Sequence, residues 1–244
     1  MNEYRKILYA DYSASFGGLK EFDQGVGHFP IFDEVMCDFN AAKDAQILDV
    51  GCGKGEWLGW LKQRGHSNLT GIDGSPSDVK VAASWLHSVQ VIEADAIGFL
   101  ESKPTNYDVI HAKDLIEHLT KDEIVTFLQR AHASLKPGGQ IWLQTFNAQA
   151  PFASATRYGD FTHETGLTPQ SIAQCLRACG FSDVRVKAVH YCSPSLGGRL
   201  RKLLSLPVKV IARLILKLRH GGTNNIPGLD RFMVEPDMLV TAQR

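Results

Sequence analysis

From residue 46 onward, short apolar runs alternate with amphipathic stretches. The runs are rich in β-branched residues and predict buried strands at 46–50, 69–73, 89–93, 107–112, 140–146, 182–189 and 237–243. The amphipathic stretches predict helices that begin at or near Glu56, Pro76, Lys121 and Pro169. Strands that alternate with helices are typical of a parallel sheet with helices on both faces. The pattern therefore predicts one α/β domain, built from 46–190 and 237–244.

Two segments lie outside this alternation. Residues 1–45 contain several tyrosines and a predicted helix at 30–39, which indicates an N-terminal helical segment that could act as a lid. His28 follows two glycines in the stretch 25–29 and could belong to that lid. Residues 191–236 separate the last two predicted strands by a connection that is long for such a fold. We therefore predict an insertion there.

The insertion has an unusual charge pattern, because 184–229 contains no aspartate or glutamate. Within 196–220, leucine, isoleucine and valine alternate with basic residues at 199, 201, 202, 209, 213, 217 and 219. This pattern predicts one or two cationic amphipathic helices around Pro207. Three interpretations stay open: contact with an anionic membrane surface, a cap over a substrate pocket, and a homodimer interface. Nucleic acid is not expected, since aromatic residues are few and the formal net charge is zero.

Composition narrows the class of protein further. The chain has 244 residues, of which 44% are hydrophobic, as in ordinary globular domains. The five cysteines form no disulfide or zinc pattern, so reduced thiols are expected. No secretory signal or membrane-spanning stretch is recognisable. We therefore expect a cytoplasmic protein. The basic, amphipathic insertion could attach it peripherally to the inner face of the membrane.

The most informative motif follows the first predicted strand. Asp49 precedes glycines at 51, 53 and 55, and an amphipathic helix begins directly after them. Such a strand–turn–helix exposes backbone N–H groups to a ligand. A second strand ends about twenty residues later in Asp73, where a ribose-binding carboxylate is expected. The glycine spacing differs from the Gly-x-Gly-x-x-Gly of dinucleotide enzymes and disfavours a nucleotide-dependent oxidoreductase.

The loop Asp-Val-Gly-Cys-Gly-Lys-Gly resembles the first motif of the class I S-adenosylmethionine (SAM) methyltransferases. The resemblance continues at 93–96, 107–110 and 135–139, in the family's order and spacing. It implies a Rossmann-like, seven-stranded, mostly parallel sheet with an antiparallel last strand. It also implies SAM as cofactor. Asp73 would bind the ribose hydroxyls and Asp95 the adenine amino group, with Ile97 beside the ring. The implied cofactor-binding residues are Asp49, Gly51, Cys52, Gly53, Asp73, Gly74, Asp95, Ala96 and Lys113.

A second motif follows the fourth predicted strand, Asp114-x-x-Glu117-His118, and His163 follows later. It resembles the clusters of ubiquinone-pathway O-methyltransferases and small-RNA 2′-O-methyltransferases. That resemblance implies a divalent cation, Mg or Mn, bound by Asp114, Glu117, His118 and His163. Alternatively, His118 or His163, with Glu117, acts as a metal-free catalytic group that accepts a hydroxyl proton. In a third interpretation the Glu-His pair only braces its loop.

The whole core also resembles bacterial methyltransferases of surface-polysaccharide biosynthesis, including the His163-x-x-x-Gly-Leu-Thr-Pro pattern. This implies SAM-dependent methyl transfer to a hydroxyl of a glycan or lipid-linked sugar. A quinone precursor or another small molecule is the alternative acceptor. A non-catalytic SAM-binding or scaffolding protein is the alternative from another class.

Overall fold

A computed structural model describes residues 3–10, 12, 28–103, 105–189, 196–220, 229–230 and 232–244. At positions 196, 198, 199, 201, 202 and 220, it describes only the backbone.

One seven-stranded sheet organises the molecule. Its strands are β1 (Gln46–Val50), β2 (Asn68–Asp73), β3 (Gln90–Glu93), β4 (Tyr107–Lys113), β5 (Leu135–Phe146), β6 (Ser182–Val189) and β7 (Asp237–Gln243). The strand order is β3-β2-β1-β4-β5-β7-β6. β7 pairs antiparallel with both β5 and β6, and the other pairs are parallel. The predicted Rossmann-like fold class is therefore confirmed.

The helices of the described residues are α1 (Glu3–Tyr9), α2 (Phe29–Val35), α3 (Glu56–Gln63), α4 (Pro76–Trp85), α5 (Ala96–Glu101), α6 (Lys121–Ser134), α7 (Ala153–Arg157), α8 (Pro169–Ala178) and α9 (Leu196–His220). Local chemistry fixes their starts. Thr120 caps α6 in a reciprocal capping box with Glu123. Thr168 caps α8, with Pro169 in its first turn, as the sequence predicts.

The core lies on both faces of the sheet. One cluster packs α6 and α8 onto the sheet through residues such as Ile110, Phe127 and Ile172. The other packs α2 and α3 onto the opposite face through residues such as Phe32, Ile47 and Leu58. Burial on both faces explains why the central strands are continuous apolar runs in the sequence.

The largest differences from the predicted boundaries are at the start of β5 and the end of α2, whereas the other strand bounds agree to within one residue. β5 begins at Leu135 rather than at 140, because Leu135 pairs with Tyr107 and a register shift follows on β4. Its Lys-Pro-Gly-Gly stretch favours a turn locally, and the register with β4 is interrupted there, since the pair after Tyr107–Leu135 is Val109–Gln140. α2 ends at Val35 rather than at 39.

Residues 196–220 of the insertion form one helix, α9, with Pro207 inside it. Ion pairs join α9 to the segment before β7: Arg213–Asp230 at 2.6 Å and Lys209–Glu235 at 3.8 Å. The flanking residues 190–195 and 221–228 lie outside the described residues.

Candidate active site

The glycine loop between β1 and α3 adopts a backbone conformation that other residues rarely reach. Gly51 and Gly53 have φ values of +72° and +52°. The N–H groups of Gly51 and Cys52 both donate to the carbonyl of Ile72, at 2.8 and 3.0 Å, and hold the loop against β2. A Cβ on Gly53 would meet no atom within 4 Å. Gly53 is therefore required by its backbone angle, and its open side leaves the main chain accessible to a ligand.

Asp73, at the end of β2, supports this loop. Its Oδ2 accepts the Gly53 N–H and its Oδ1 accepts the Ser75 N–H, both at 2.8 Å. Burial raises the pKa of the carboxyl group, although the two N–H donors oppose that shift. A carboxylate oxygen can accept more than one hydrogen bond, so each retains capacity for a ribose hydroxyl. A Cβ on the neighbouring Gly74 would also meet open space.

We expect the substitution Asp73→Ala to weaken SAM binding by at least about 30-fold, the equivalent of about 2 kcal/mol for charge-assisted hydrogen bonds. Titration calorimetry would measure the affinity. Asp108→Ala is the matched control, since Asp108 also accepts a backbone N–H, from Gln46 at 2.8 Å, but lies at the opposite edge of the sheet. Equal SAM affinity in the two variants would remove Asp73 from the site.

The predicted adenine-binding residues lie where β3 passes into α5. Asp95 is exposed and caps α5, its Oδ2 accepting the Gly98 N–H at 2.8 Å. Ala96 and Ile97 open the helix and pack partly buried against the core. The cap engages Oδ2, and the predicted hydrogen bond to the adenine amino group would use Oδ1. Asp95 thus has an observed structural role beside its predicted binding role.

Asp49 has a partner that the sequence interpretation missed. Its Oδ1 lies 2.7 Å from Nδ1 of His111, and both side chains are almost fully buried. The Trp57 ring stacks on His111 with centroids 3.8 Å apart. Asp49 and His111 are register neighbours on β1 and β4, so strand pairing is the signal that identifies the partner. The predicted contact of Asp49 with the cofactor stays a prediction, whereas its hydrogen bond to His111 rigidifies the loop's base.

Cys52 and Lys113 complete the predicted cofactor set. Cys52 is buried, and burial raises the pKa of its thiol well above the usual value, which agrees with a packing residue rather than a nucleophile. Lys113 ends β4 and forms an ion pair with Asp114. Asp114 has a φ of +51°, a strained conformation for a residue with a side chain. A Cβ on Gly51 would lie 3.2 Å from Leu115, so the loop after β4 adjoins the glycine loop.

The turn Ile116–His118 joins the loop after β4 to the segment 160–165. Glu117 is buried, and its carboxyl group accepts the Thr145 hydroxyl at 2.9 Å. Its backbone carbonyl accepts the N–H groups of Glu164 and Thr165, at 2.8 and 3.0 Å. Burial, and then the charge of Asp114, raise the pKa of Glu117 to about 8. Glu117 therefore braces the two loops.

His118 lies at the centre of a hydrogen-bonded relay. Its Nδ1 is 2.8 Å from Thr162 Oγ1, and that hydroxyl donates to Asp160 Oδ1 at 2.7 Å. Because the hydroxyl proton goes to the carboxylate, Nδ1 of His118 carries the proton and donates it to Thr162. Nε2 therefore keeps a free electron pair. Burial, and then the neighbouring His163, lower the pKa of His118 to about 4.

His163 lies directly beside His118, with ring centroids 4.7 Å apart. Its Nδ1 donates to the Thr156 carbonyl at 3.0 Å, which leaves its Nε2 electron pair free in the neutral ring. That nitrogen is 3.9 Å from Asp160 Oδ2. Two electron-rich atoms facing each other at this distance are stabilised by a proton or a cation between them.

The structure brings only two of the four predicted metal ligands, His118 and His163, into one group that could hold an ion. Among the described residues, a group that could hold an ion consists of His118, Asp160 and His163, whose ligand atoms lie within 4.8 Å of one another. Of the other predicted ligands, Asp114 pairs with Lys113 and Glu117 with Thr145. Asp160 was missed, although it stands three residues before His163. Two imidazole nitrogens and a carboxylate are a donor set that fits a divalent cation.

α1 and Tyr12 cover this cluster. Arg5 donates to both Glu123 oxygens, at 2.6 and 2.9 Å, and to the His118 carbonyl at 2.6 Å. The Tyr12 hydroxyl donates to Asp160 Oδ2 at 2.6 Å. The rings of Tyr9 and Tyr12 meet His118 edge-on, with centroids 6.3 and 5.8 Å away. The N-terminal segment therefore packs on the predicted catalytic residues.

His28, the other predicted lid residue, lies beside α3 rather than over the His118 cluster. His28 Nδ1 is 3.2 Å from the Glu56 carboxylate, in the first turn of α3. The predicted lid residues 13–27 lie outside the described residues.

The sheet order, the glycine loop and the acid at the end of β2 together define a SAM-binding α/β fold. The methyltransferase domain family matches residues 32–186, more than half of the chain. The chain therefore belongs to the methyltransferase domain family.

Curated relatives carry two kinds of activity. The ubiquinone biosynthesis O-methyltransferase of Pseudomonas aeruginosa is 33% identical over 108 residues, 42% of this chain and 44% of that protein. The phosphoethanolamine N-methyltransferase of Plasmodium falciparum is 23% identical over 156 residues, 62% of this chain and 59% of that protein. The chain thus matches about half the length of these relatives.

Solved structures share the fold. A SAM-dependent methyltransferase from Archaeoglobus fulgidus superposes with a TM-score of 0.69 and 22% identity, covering 100% of both chains. Phosphoethanolamine N-methyltransferase 2 from Haemonchus contortus, in complex with SAM, superposes with a TM-score of 0.63 and 17% identity. The match covers 100% of this chain and 60% of that one.

Proposed function

We propose that the protein transfers the methyl group of SAM to a hydroxyl oxygen of its acceptor. The relay from His118 through Thr162 to Asp160 carries this proposal, because it holds Nε2 of His118 as a proton acceptor. The hydroxyl oxygen attacks the methyl carbon, and the carbon–sulfur bond breaks. Sulfur keeps the bonding pair, which yields S-adenosylhomocysteine. The hydroxyl proton passes to Nε2 of His118.

The surroundings favour a hydroxyl acceptor over a phosphate-bearing amine such as that of the Plasmodium relative. A phosphate group would need a cationic partner near the cluster. In the part of the chain that the structure describes, the arginines beside the cluster are already engaged: Arg5 with Glu123, and Arg157 with the carbonyls of His163 and Glu164. A neutral hydroxyl needs no such cation.

A glycan or a lipid-linked sugar is the acceptor class that we favour. Phe152, Tyr158 and Phe161 are all strongly exposed near the segment that carries His163. Exposed aromatic rings beside a polar cluster suit a sugar, whose C–H faces stack on rings while its hydroxyls reach the histidines. A phenolic quinone precursor would use the same rings, and the Pseudomonas relative supports it as the alternative.

A methyl-transfer assay with labelled SAM tests the proposal. The acceptors would be a hydroxyl-only glycan, a catechol as quinone-precursor probe, and phosphoethanolamine. Label on the glycan supports the favoured acceptor, and label on the catechol selects the alternative. Label on phosphoethanolamine alone would overturn the hydroxyl assignment. SAM binding without transfer to any hydroxyl compound would support a SAM-binding scaffold instead.

Chelation separates the two versions of the site. A divalent cation on His118, Asp160 and His163 would lower the pKa of the acceptor hydroxyl and orient its oxygen. We expect turnover to persist in EDTA if His118 alone accepts the proton. Full loss in EDTA, with recovery on added magnesium or manganese, would establish the metal version. His163→Asn should then also weaken metal binding in calorimetry.

A further inference from the structure

α9 faces the protein body with its polar side. Lys209 and Arg213 pair with Glu235 and Asp230, and the residues partly covered beside them are Ser205, Ala212 and Leu216. These positions are three or four apart and form one stripe of the helix. An amphipathic helix on a globular domain normally turns its apolar stripe inward. In α9 the orientation is reversed.

The opposite stripe of α9 is apolar and exposed. It is formed by Leu203, Leu204, Ile211, Leu214, Ile215 and Leu218, with exposed fractions from 55% to 78%. Scattered exposed leucines are normal, but a contiguous stripe over four turns marks a contact surface. Among the described residues, no helix is both long and apolar enough to cross a bilayer. The stripe therefore suits a surface contact.

We propose that α9 lies in the surface of an anionic lipid membrane, with its apolar stripe among the acyl chains. Charge complementarity selects this occupant. Lys217 and Arg219 are exposed, and 184–229 contains no acidic residue. A second copy docked through the same stripe would set cations against cations, with no acid on either helix. Anionic headgroups supply the missing negative charge.

The membrane would then lie close to the catalytic edge of the sheet. α9 pairs with the 230–235 segment, and Asn147 donates to the carbonyls of Met233 and Glu235 in that segment, at 3.1 and 3.0 Å. Asn147 directly follows β5, at the edge where the glycine loop and His118 lie. This inference does not depend on which acceptor is methylated.

Vesicle co-sedimentation tests the proposal with the full chain. We expect binding to phosphatidylglycerol/phosphatidylcholine vesicles that weakens as salt rises, and little binding to phosphatidylcholine alone. Ile211→Glu with Leu214→Glu should abolish binding. Val125→Glu is the control for an added glutamate, since it introduces one at an exposed apolar position of α6 and should leave binding unchanged.

A second variant measures how much the basic side chains contribute to vesicle binding. Lys217→Gln with Arg219→Gln should weaken binding about 30-fold, at the usual contribution of a basic residue near an anionic surface. Arg213 is left intact, since it holds α9 to Asp230. SAM titration confirms that each variant is folded. Equal binding to both vesicle types, unchanged binding of the Ile211/Leu214 variant, or a stable dimer in light scattering without vesicle binding would overturn the proposal.

Discussion

Replacing His118 by asparagine is expected to lower turnover by at least about a hundredfold and to leave SAM affinity unchanged. Asparagine can still donate to Thr162 through its amide group, but it lacks the imidazole Nε2 that accepts the hydroxyl proton. Single-turnover kinetics with the acceptor identified by the transfer assay would measure the loss. Calorimetry with SAM would show that the cofactor site is intact.

Variants of Thr162 are matched tests of the relay. Thr162→Ser keeps the hydroxyl between His118 and Asp160 and should retain most of the activity. Thr162→Val removes it, so the ring is no longer held with its proton on Nδ1, and kcat should fall while KM changes little. Near-wild-type turnover in both His118→Asn and His163→Asn would contradict the catalytic assignment.

The pH profile provides a further test of His118. Since its pKa is lowered to about 4, Nε2 is unprotonated at neutral pH and becomes protonated only as pH falls through about 4. Activity that depends on this nitrogen should therefore persist below pH 6 and disappear near pH 4. Circular dichroism over the same range would separate the loss from unfolding. An acidic limb near the ordinary histidine pKa that His163→Asn abolishes would assign the proton to His163.

The second large effect concerns stability. His111→Leu is expected to lower the free energy of unfolding by about 3–5 kcal/mol, because it leaves the buried carboxylate of Asp49 without its partner. Urea denaturation with an unchanged m-value would measure it. In the double variant with Asp49→Asn, part of the loss should be recovered, since no buried charge remains unpaired.

His66→Leu is the matched control for that substitution. His66 is also buried, but its Nδ1 hydrogen-bonds to the backbone carbonyl of Ala42 rather than to a carboxylate. We expect a loss of only about 1 kcal/mol there. Equal losses at the two histidines would show that the carboxylate pairing has no special weight.

Some of these features were predictable from the sequence because their causes are local. The bounds of β1, β6 and β7 follow from short apolar runs rich in β-branched residues, and the structure matches all three predictions. The N-cap at Thr168 follows from a hydroxyl before a proline. The glycine loop and the acid ending β2 lie about twenty residues apart in one strand–helix–strand unit, so their spacing indicated a ribose-binding site. The resemblance of the loop to the first motif of the SAM methyltransferases implied the cofactor.

Only the tertiary structure determined which residues far apart in the sequence contact one another. The partner of Asp49 depends on β1 lying beside β4, and Asp160 joins the histidines because Glu117 ties the 164–165 backbone to its own turn. Helical periodicity predicted that α9 is amphipathic, but not which stripe faces the protein. Acids at 230 and 235 bind its cations and turn the apolar stripe outward. Periodicity within a segment thus determines its type, whereas pairing between segments determines its orientation and the chemistry of its side chains.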